Sequence, residues 1–170
     1  AFSLKDFRPD IVVHLATLYL NVHSAFDVET LITSNITFGS LLLQAMSDTG
    51  VKRFLNFGTR WQHLGDSRFN PANLYAATKE SFLCILAFYQ KRGIISKTIE
   101  LCDTFGEGDT RKKVVDLMMS ACRNCQPVEM SPGEQMIDIV HVSDVCAYIV
   151  DSIEHEAFFD NNCVSLSGTE

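Results

Sequence analysis

Apolar residues along the chain fall into short unbroken runs separated by longer stretches in which they recur at helical spacing. The run Ile11-Val12-Val13-His14-Leu15-Ala16, entered after Pro9, reads as a strand covered on both faces. From about residue 25 to 48, Leu31, Ile32, Phe38, Leu41, Leu42 and Ala45 recur every three or four positions until Gly50, which predicts a helix crossing back over a sheet. A second buried strand follows at Arg53 to Gly58, then an irregular polar stretch through Pro71. A helix is predicted from about Asn73, its N-cap, to Arg92, with Gly93 as its stop. Lys97 to Cys102 makes a third strand, Gly106 to Asp109 a turn, and residues 111 to 124 a short helix. Alternating strands and crossover helices imply an α/β, doubly wound parallel sheet. After Pro127 the rhythm shortens to three strand-like pieces, "PVEM", "MIDIVHV" and "CVSLSG", with a helix near 143 to 154 between the last two. The expected organisation is therefore a sheet domain over 1–126 and a partial smaller lobe with the last sheet elements over 127–170.

Chemistry concentrates in "NLYAATKES", residues 73 to 81. Tyr75 and Lys79 are four apart, so a helix sets them on one face about one turn, roughly 6 Å, from each other. A cation held there favours the phenolate, and the expectation is a tyrosine pKa lowered toward working pH, as a proton-transferring tyrosine needs. Taken alone, such a pair is more often surface decoration. Thr59, at the end of the second strand, offers a hydroxyl that can cap a turn.

A net charge of −7 gives no general footprint for a nucleic-acid backbone, so an anionic ligand would have to be met locally. The compact basic group Arg111-Lys112-Lys113 could do so, or could be a solvated helix start. No apolar run approaches the roughly 20 residues that cross a bilayer, and the opening "AFSLKDFRPD" lacks the basic and apolar regions of a secretory leader. Cysteines 84, 102, 122, 125, 146 and 163 lie in hydrophobic segments, from which free, mostly buried thiols in a cytoplasmic protein are expected. Neither Cys122-x-x-Cys125 nor histidines 14, 23, 63, 141 and 155 have metal-binding spacing, so no metal is expected. Leu117, Met118 and Ala121 read as core contacts, and His14 as packed.

The segments "PDIVVHLA", "SNITFGSLLLQA", "NFGT", "YAATK", "DTFGEGD" and "GEQMIDIVHVSDV", in that order and over nearly the whole chain, resemble the extended short-chain dehydrogenase/reductase family of nucleotide-sugar epimerases, dehydratases and reductases. The wording of "NFGTRWQH" and "NPANLYAATK" is most similar to sugar 4-ketoreductases related to CDP-abequose synthase. The resemblance implies a partial Rossmann-type sheet lacking its N-terminal strands, with the C-terminal lobe on the substrate side. It implies NAD or NADP as cofactor, a nucleotide-sugar substrate, and a homodimer formed through the helices at 25 to 48 and 73 to 92. By the same resemblance Tyr75 exchanges the oxygen-bound proton, Lys79 tunes it and holds the nicotinamide ribose, Thr59 bonds the reacting oxygen, and Asn35 supports the site through a kinked helix or a water. Leu15, Ala16 and Thr104 would border the cofactor, and Trp61, Asp103 and Arg111 the substrate.

Three departures qualify that picture. Dehydratases of the family follow the Ser/Thr with an acidic pair, whereas Thr59 precedes Arg60 and Trp61, which disfavours dehydration. Ile137 stands where many relatives carry an arginine for the diphosphate, so Arg111 or Lys112 would have to substitute. No Gly-x-x-Gly-x-x-Gly follows a strand, and the residue that would choose between NAD and NADP is absent. The alternative is therefore an inactive fragment or a non-catalytic dinucleotide-sensing module of the same fold.

Overall fold

The structure, a computed structural model, describes residues 4 to 168 except Arg68, Thr110, Lys112 and Gln135. Its centre is a parallel sheet of β1 (Ile11–His14), β2 (Arg53–Thr59), β3 (Ile95–Leu101) and β6 (Cys163–Leu166), in the order β1-β2-β3-β6. Two shorter strands, β4 (Asp103–Phe105) and β5 (Ile139–His141), pair in parallel as a separate sheet. The helices are α1 (Leu4–Phe7), α2 (Val28–Ile32), α3 (Phe38–Thr49), α4 (Leu74–Gln90), α5 (Val114–Asn124) and α6 (Val142–Glu154).

Strand periodicity sorts the core into two layers, because successive side chains point to opposite faces. Val12 and Phe54 face α3 and α4, where Leu43, Met46, Phe82 and Leu86 close the layer. Ile11, Val13, Leu55, Phe57 and Ile99 face the other way, against Tyr148 and Ile149 of α6 and the Phe158–Phe159 pair. With both faces covered, β2 is buried along nearly its whole length, as expected of a central strand in a doubly wound sheet.

The predicted helix over 25 to 48 is built in pieces: a 3-10 turn at Ala25–Asp27, α2, a π-helical turn at Thr33–Thr37, then α3. Gly50 ends it in the left-handed conformation, φ 79°, which glycine adopts without steric cost. Its buried residues are Leu31, Asn35, Gly39, Leu43 and Met46, with Leu42 packed against that layer, whereas Ile32, Phe38 and Leu41 of the predicted repeat are exposed. Leu41 is 65% exposed, because Asn35 and Gly39 take inward positions that an apolar pattern does not register. Gly39 is needed where it stands: a Cβ there would lie 2.6 Å from the Phe82 ring.

Other expectations are corrected. "PVEM" forms no strand, and "MIDIVHV" contributes only Ile139–His141, which pairs with β4. "CVSLSG", read as a strand, supplies β6 of the main sheet beside β3. Among its described residues α5 buries none, so Leu117 and Met118 are surface residues, since no further layer of described residues covers that helix. The thiols are free, but only Cys102 is partly covered and the other five are exposed, because they fall on outward helix faces and the edge strand β6.

Candidate active site

The carboxyl ends of β1, β2 and β3 open into a cleft of about 200 Å³, the position where ligands meet open α/β sheets. Leu15, Thr17 and Tyr19 line it from the segment after β1, Thr59 and Trp61 from the end of β2, Tyr75 and Lys79 from α4, and Asp103, Thr104, Arg111 and Lys113 from the far side. Eight of the predicted residues thus converge on one cavity: Leu15, Thr59, Trp61, Tyr75, Lys79, Asp103, Thr104 and Arg111. Ala16 borders a neighbouring hollow with Thr33, Ser34 and Phe38. Asn35 lies behind the wall, 2% exposed, and Lys112 is outside the described residues.

α4 starts where the sequence places it. The Asn73 side chain accepts from the Ala76 amide at 2.9 Å, which satisfies an otherwise orphaned donor and fixes the first turn that carries Tyr75. One turn on, Lys79 enters the fold instead of solvent. It is 6% exposed, its ammonium donates to the Phe57 carbonyl at 3.0 Å, and it sits 6.0 Å from the centre of the Tyr75 ring. Burial lowers its pKa from 10.5 to about 8. Phe57 O is its one acceptor among the described residues, which leaves two ammonium hydrogens for a ligand's hydroxyls.

The expectation of a lowered Tyr75 pKa is corrected. Burial raises it, with Tyr19 adding to the rise, while the neighbouring Thr17 hydroxyl and the charge of Arg111 oppose it. Desolvation wins because the phenol is sunk in an aromatic wall. Tyr19 meets the Tyr75 ring edge-on at 5.0 Å and reaches Trp61 at 6.3 Å.

Thr59 is both a cap and a cleft residue. Its hydroxyl oxygen accepts from the Trp61 amide at 3.3 Å, and its own amide donates to Gln62 Oε1 at 2.8 Å. The hydroxyl hydrogen is left for another acceptor. Gln62 passes the bonding on to Glu80 of α4 at 2.7 Å, so the turn is tied to the helix that carries Tyr75.

Asn35 holds the opposite wall. Its carbonyl oxygen accepts from the Leu18 amide at 2.7 Å and the Thr17 hydroxyl at 3.0 Å, and its amide donates to Leu18 O and to Thr78 Oγ1, both at 3.0 Å. Thr78 in turn donates to the Tyr75 carbonyl at 2.7 Å. The irregularity expected of this helix is the π turn, which presents the amide to both partners.

The basic side chains come with carboxylates. Arg111 makes a two-pronged pair with Asp109, at 2.8 and 2.7 Å, which holds the Asp109 pKa at about 2. Lys113 donates to Thr104 O at 2.8 Å and lies 3.5 Å from Asp103. An anion entering here meets cations that already have partners. No group of His, Cys, Asp and Glu able to hold a metal occurs among the described residues.

Sequence reasoning missed Thr17 and Tyr19. They lie three and five positions beyond β1, and the rule that ligands gather at strand carboxyl ends was the signal for them. Lys113, read in the sequence within the basic group that could meet an anion, lines the cleft.

Comparison with known proteins agrees with this fold. The chain is 29% identical over 168 residues to CDP-abequose synthase of Yersinia pseudotuberculosis, covering 96% of this chain and 58% of that protein. It superposes on UDP-glucuronic acid 4-epimerase from Bacillus cereus in complex with NAD, with a TM-score of 0.84 at 20% identity, covering 98% of this chain and 56% of that one. For UDP-N-acetylglucosamine 4-epimerase from Methanobrevibacter ruminantium M1, in complex with UDP-N-acetylmuramic acid, the TM-score is 0.81 at 24% identity, with 96% and 56% covered. The chain thus spans somewhat over half the length of these relatives. The family model "NAD dependent epimerase/dehydratase family" matches residues 2 to 163, and the chain belongs to that family.

Proposed function

We propose that the chain carries the catalytic part of an NAD- or NADP-dependent oxidoreductase acting on a nucleotide-linked 4-keto sugar, as reductase or epimerase. The observation that carries this reading is the convergence of Tyr75, Lys79 and Thr59 on one cleft at the carboxyl ends of three parallel strands. Lys79 fits a dinucleotide: it is buried, cationic, and has donors to spare for ribose hydroxyls. When bound, a nicotinamide supplies or takes the hydride.

The chain's residues do the rest. Tyr75, a neutral phenol whose pKa burial raises further, gives its phenolic proton to the carbonyl oxygen being reduced, or takes it back in the reverse direction. The Thr59 hydroxyl donates to the same oxygen as charge develops on it. Lys79 stabilises the phenolate left behind, at a distance where a desolvated ammonium acts strongly. The Tyr19–Trp61 edge gives the sugar ring an apolar wall and limits water. Arg111 and Lys113 take the diphosphate by exchanging Asp109 and Asp103 for it. Reduction or epimerisation is favoured over dehydration because Arg60 and Trp61 stand where dehydratases of the family carry acids. Exposed Ile32, Leu41 and Phe88 on the α2–α4 surface support a homodimer through those helices.

Tyr75→Phe in the full-length protein tests the assignment. The variant is expected to bind NAD or NADP as the parent does and to lose roughly two to four orders of magnitude in turnover. Turnover at the parental rate would exclude Tyr75 as the acid.

A further inference from the structure

We propose that Glu100 is a positioning residue for the cleft: buried in β3, it holds through His63 the turn that presents Thr59 and Trp61. What those two side chains do for a ligand rests on the function proposed above; the hold itself rests on geometry. After Thr59 the chain makes one 3-10 turn, Arg60–Gln62, and leaves it at His63 with φ −134° and ψ 59°. So short a turn has few backbone bonds of its own to fix it.

Its side chains fix it instead. A carboxylate only accepts, so His63 Nε2 donates to Glu100 Oε1, at 2.9 Å. His63 Nδ1 is buried without a partner among the described residues, which makes the Nε2 bond the ring's one tie. The second carboxylate oxygen, Oε2, accepts from the Ser165 hydroxyl of β6 at 3.3 Å, and Ser165 in turn accepts from the Arg60 guanidinium at 3.4 Å. Both flanks of the turn thus lead back to one carboxylate, on a residue 5% exposed. Gln62, between them, is bonded to α4, and Trp61 is left as the side chain of the turn that enters the cleft.

The backbone makes room for this anchor. Gly58 is the register partner of Glu100, and a Cβ on it would lie 3.0 Å from Glu100 Cγ and 2.8 Å from Gln62 Oε1. A carboxylate at that depth costs stability unless it is well bonded, and an apolar residue would suit the sheet better. What Glu100 contributes is the placing of Trp61, which lines both the cleft of about 200 Å³ and an adjoining hollow of about 280 Å³ shared with Tyr19, Val114 and Ile139. A shift of the turn would reshape both spaces at once and carry the Thr59 hydroxyl with it.

The test is amide hydrogen exchange by NMR on the full-length protein without cofactor, read together with the indole N–H signal of Trp61, identified by its loss in Trp61→Phe. His63→Leu and Glu100→Met break the bond, whereas His63→Gln keeps a donor and Glu100→Gln keeps an acceptor. In the Leu and Met variants the bonded amides of positions 61, 63 and 64 are expected to exchange about tenfold faster and the indole signal to move, with the β2 amides from Phe54 to Phe57 unchanged. The double variant should exchange no faster than the faster single one, and each Gln variant should return both readouts toward the parent. Turn amides and indole signal unchanged in Leu and Met, equal changes in the Gln variants, or β2 amides accelerated as much as the turn would overturn the proposal. Should Glu100→Met not fold, His63→Leu, at a side chain 21% exposed, decides alone. Because no substrate is used, the result is independent of whether Tyr75→Phe abolishes turnover.

Discussion

Lys79 is a stability cost as well as a tool, and replacing it separates the two. Moving its pKa from 10.5 to about 8 means that the folded state disfavours the charged form by about 3 kcal/mol relative to the unfolded chain. Lys79→Met keeps the buried stem and removes the charge, but leaves the Phe57 carbonyl without its donor, a loss of about 1 kcal/mol. The variant should therefore be more stable than the parent by about 2 kcal/mol at about pH 7. The advantage has a pH signature. Between about 8 and 10.5 the unfolded chain binds more protons at this site than the folded one, so parental stability rises with pH across that window. By about pH 9.5 the parent should have recovered about 2 kcal/mol, leaving the two nearly equal. Urea unfolding at both pH values, without added dinucleotide, measures this. A Met variant no more stable at about pH 7, or an advantage that does not shrink with pH, would refute the reasoning.

His14 should act at the other end of the scale. Stacked against Phe38 and Phe82, with neither ring nitrogen bonded among the described residues, it has its pKa lowered from 6.5 to about 4 by burial and then by Lys79. The unfolded chain binds its proton first as pH falls, so stability should drop through that window by up to about 3 kcal/mol, and His14→Leu should flatten that part of an acid-unfolding curve. Asp109→Asn should free Arg111 from its two-pronged pair. Calorimetry with a nucleoside diphosphate should then show affinity several-fold higher, about 1 kcal/mol, with unchanged affinity counting against Arg111 as the anion's partner.

The pattern of apolar runs was enough to read the three main strands and the two long helices, because a strand covered on both faces and a capped helix each leave a local signature. What escaped depended on partners remote in sequence. Burial of Asn35, in the π turn ahead of α3, left no mark in the apolar pattern, since it follows from bonds to Leu18 and Thr78, far from it along the chain. "PVEM" has strand composition but no strand to pair with. At the site, helix spacing set Tyr75 and Lys79 on one face and the family resemblance singled them out with Thr59, whereas the direction of the Tyr75 pKa was not legible. The spacing reveals the nearby cation, but only the fold reveals that Tyr19 and the cleft walls desolvate the phenol more strongly than any cation lowers its pKa.

The four bonds of Asn35 also decide which parts of the cleft are free to adjust. Through Leu18 and Thr78, one side chain locks the segment after β1 to the first turns of α4, and the Gln62–Glu80 bond locks the end of β2 to the same helix. Three walls of the site therefore behave as a single mechanical frame, and a push on any of them is resisted by all. Accommodation of ligands of different size falls to the fourth side, at Arg111 and Lys113, which no bond among the described residues ties to α4: Arg111 pairs with Asp109, and Lys113 with Asp103 and the Thr104 carbonyl. Aspartate at position 35, equal in size but without the amide's two donors, would uncouple the frame without opening a cavity, and the geometry of the reacting groups would loosen before the fold did.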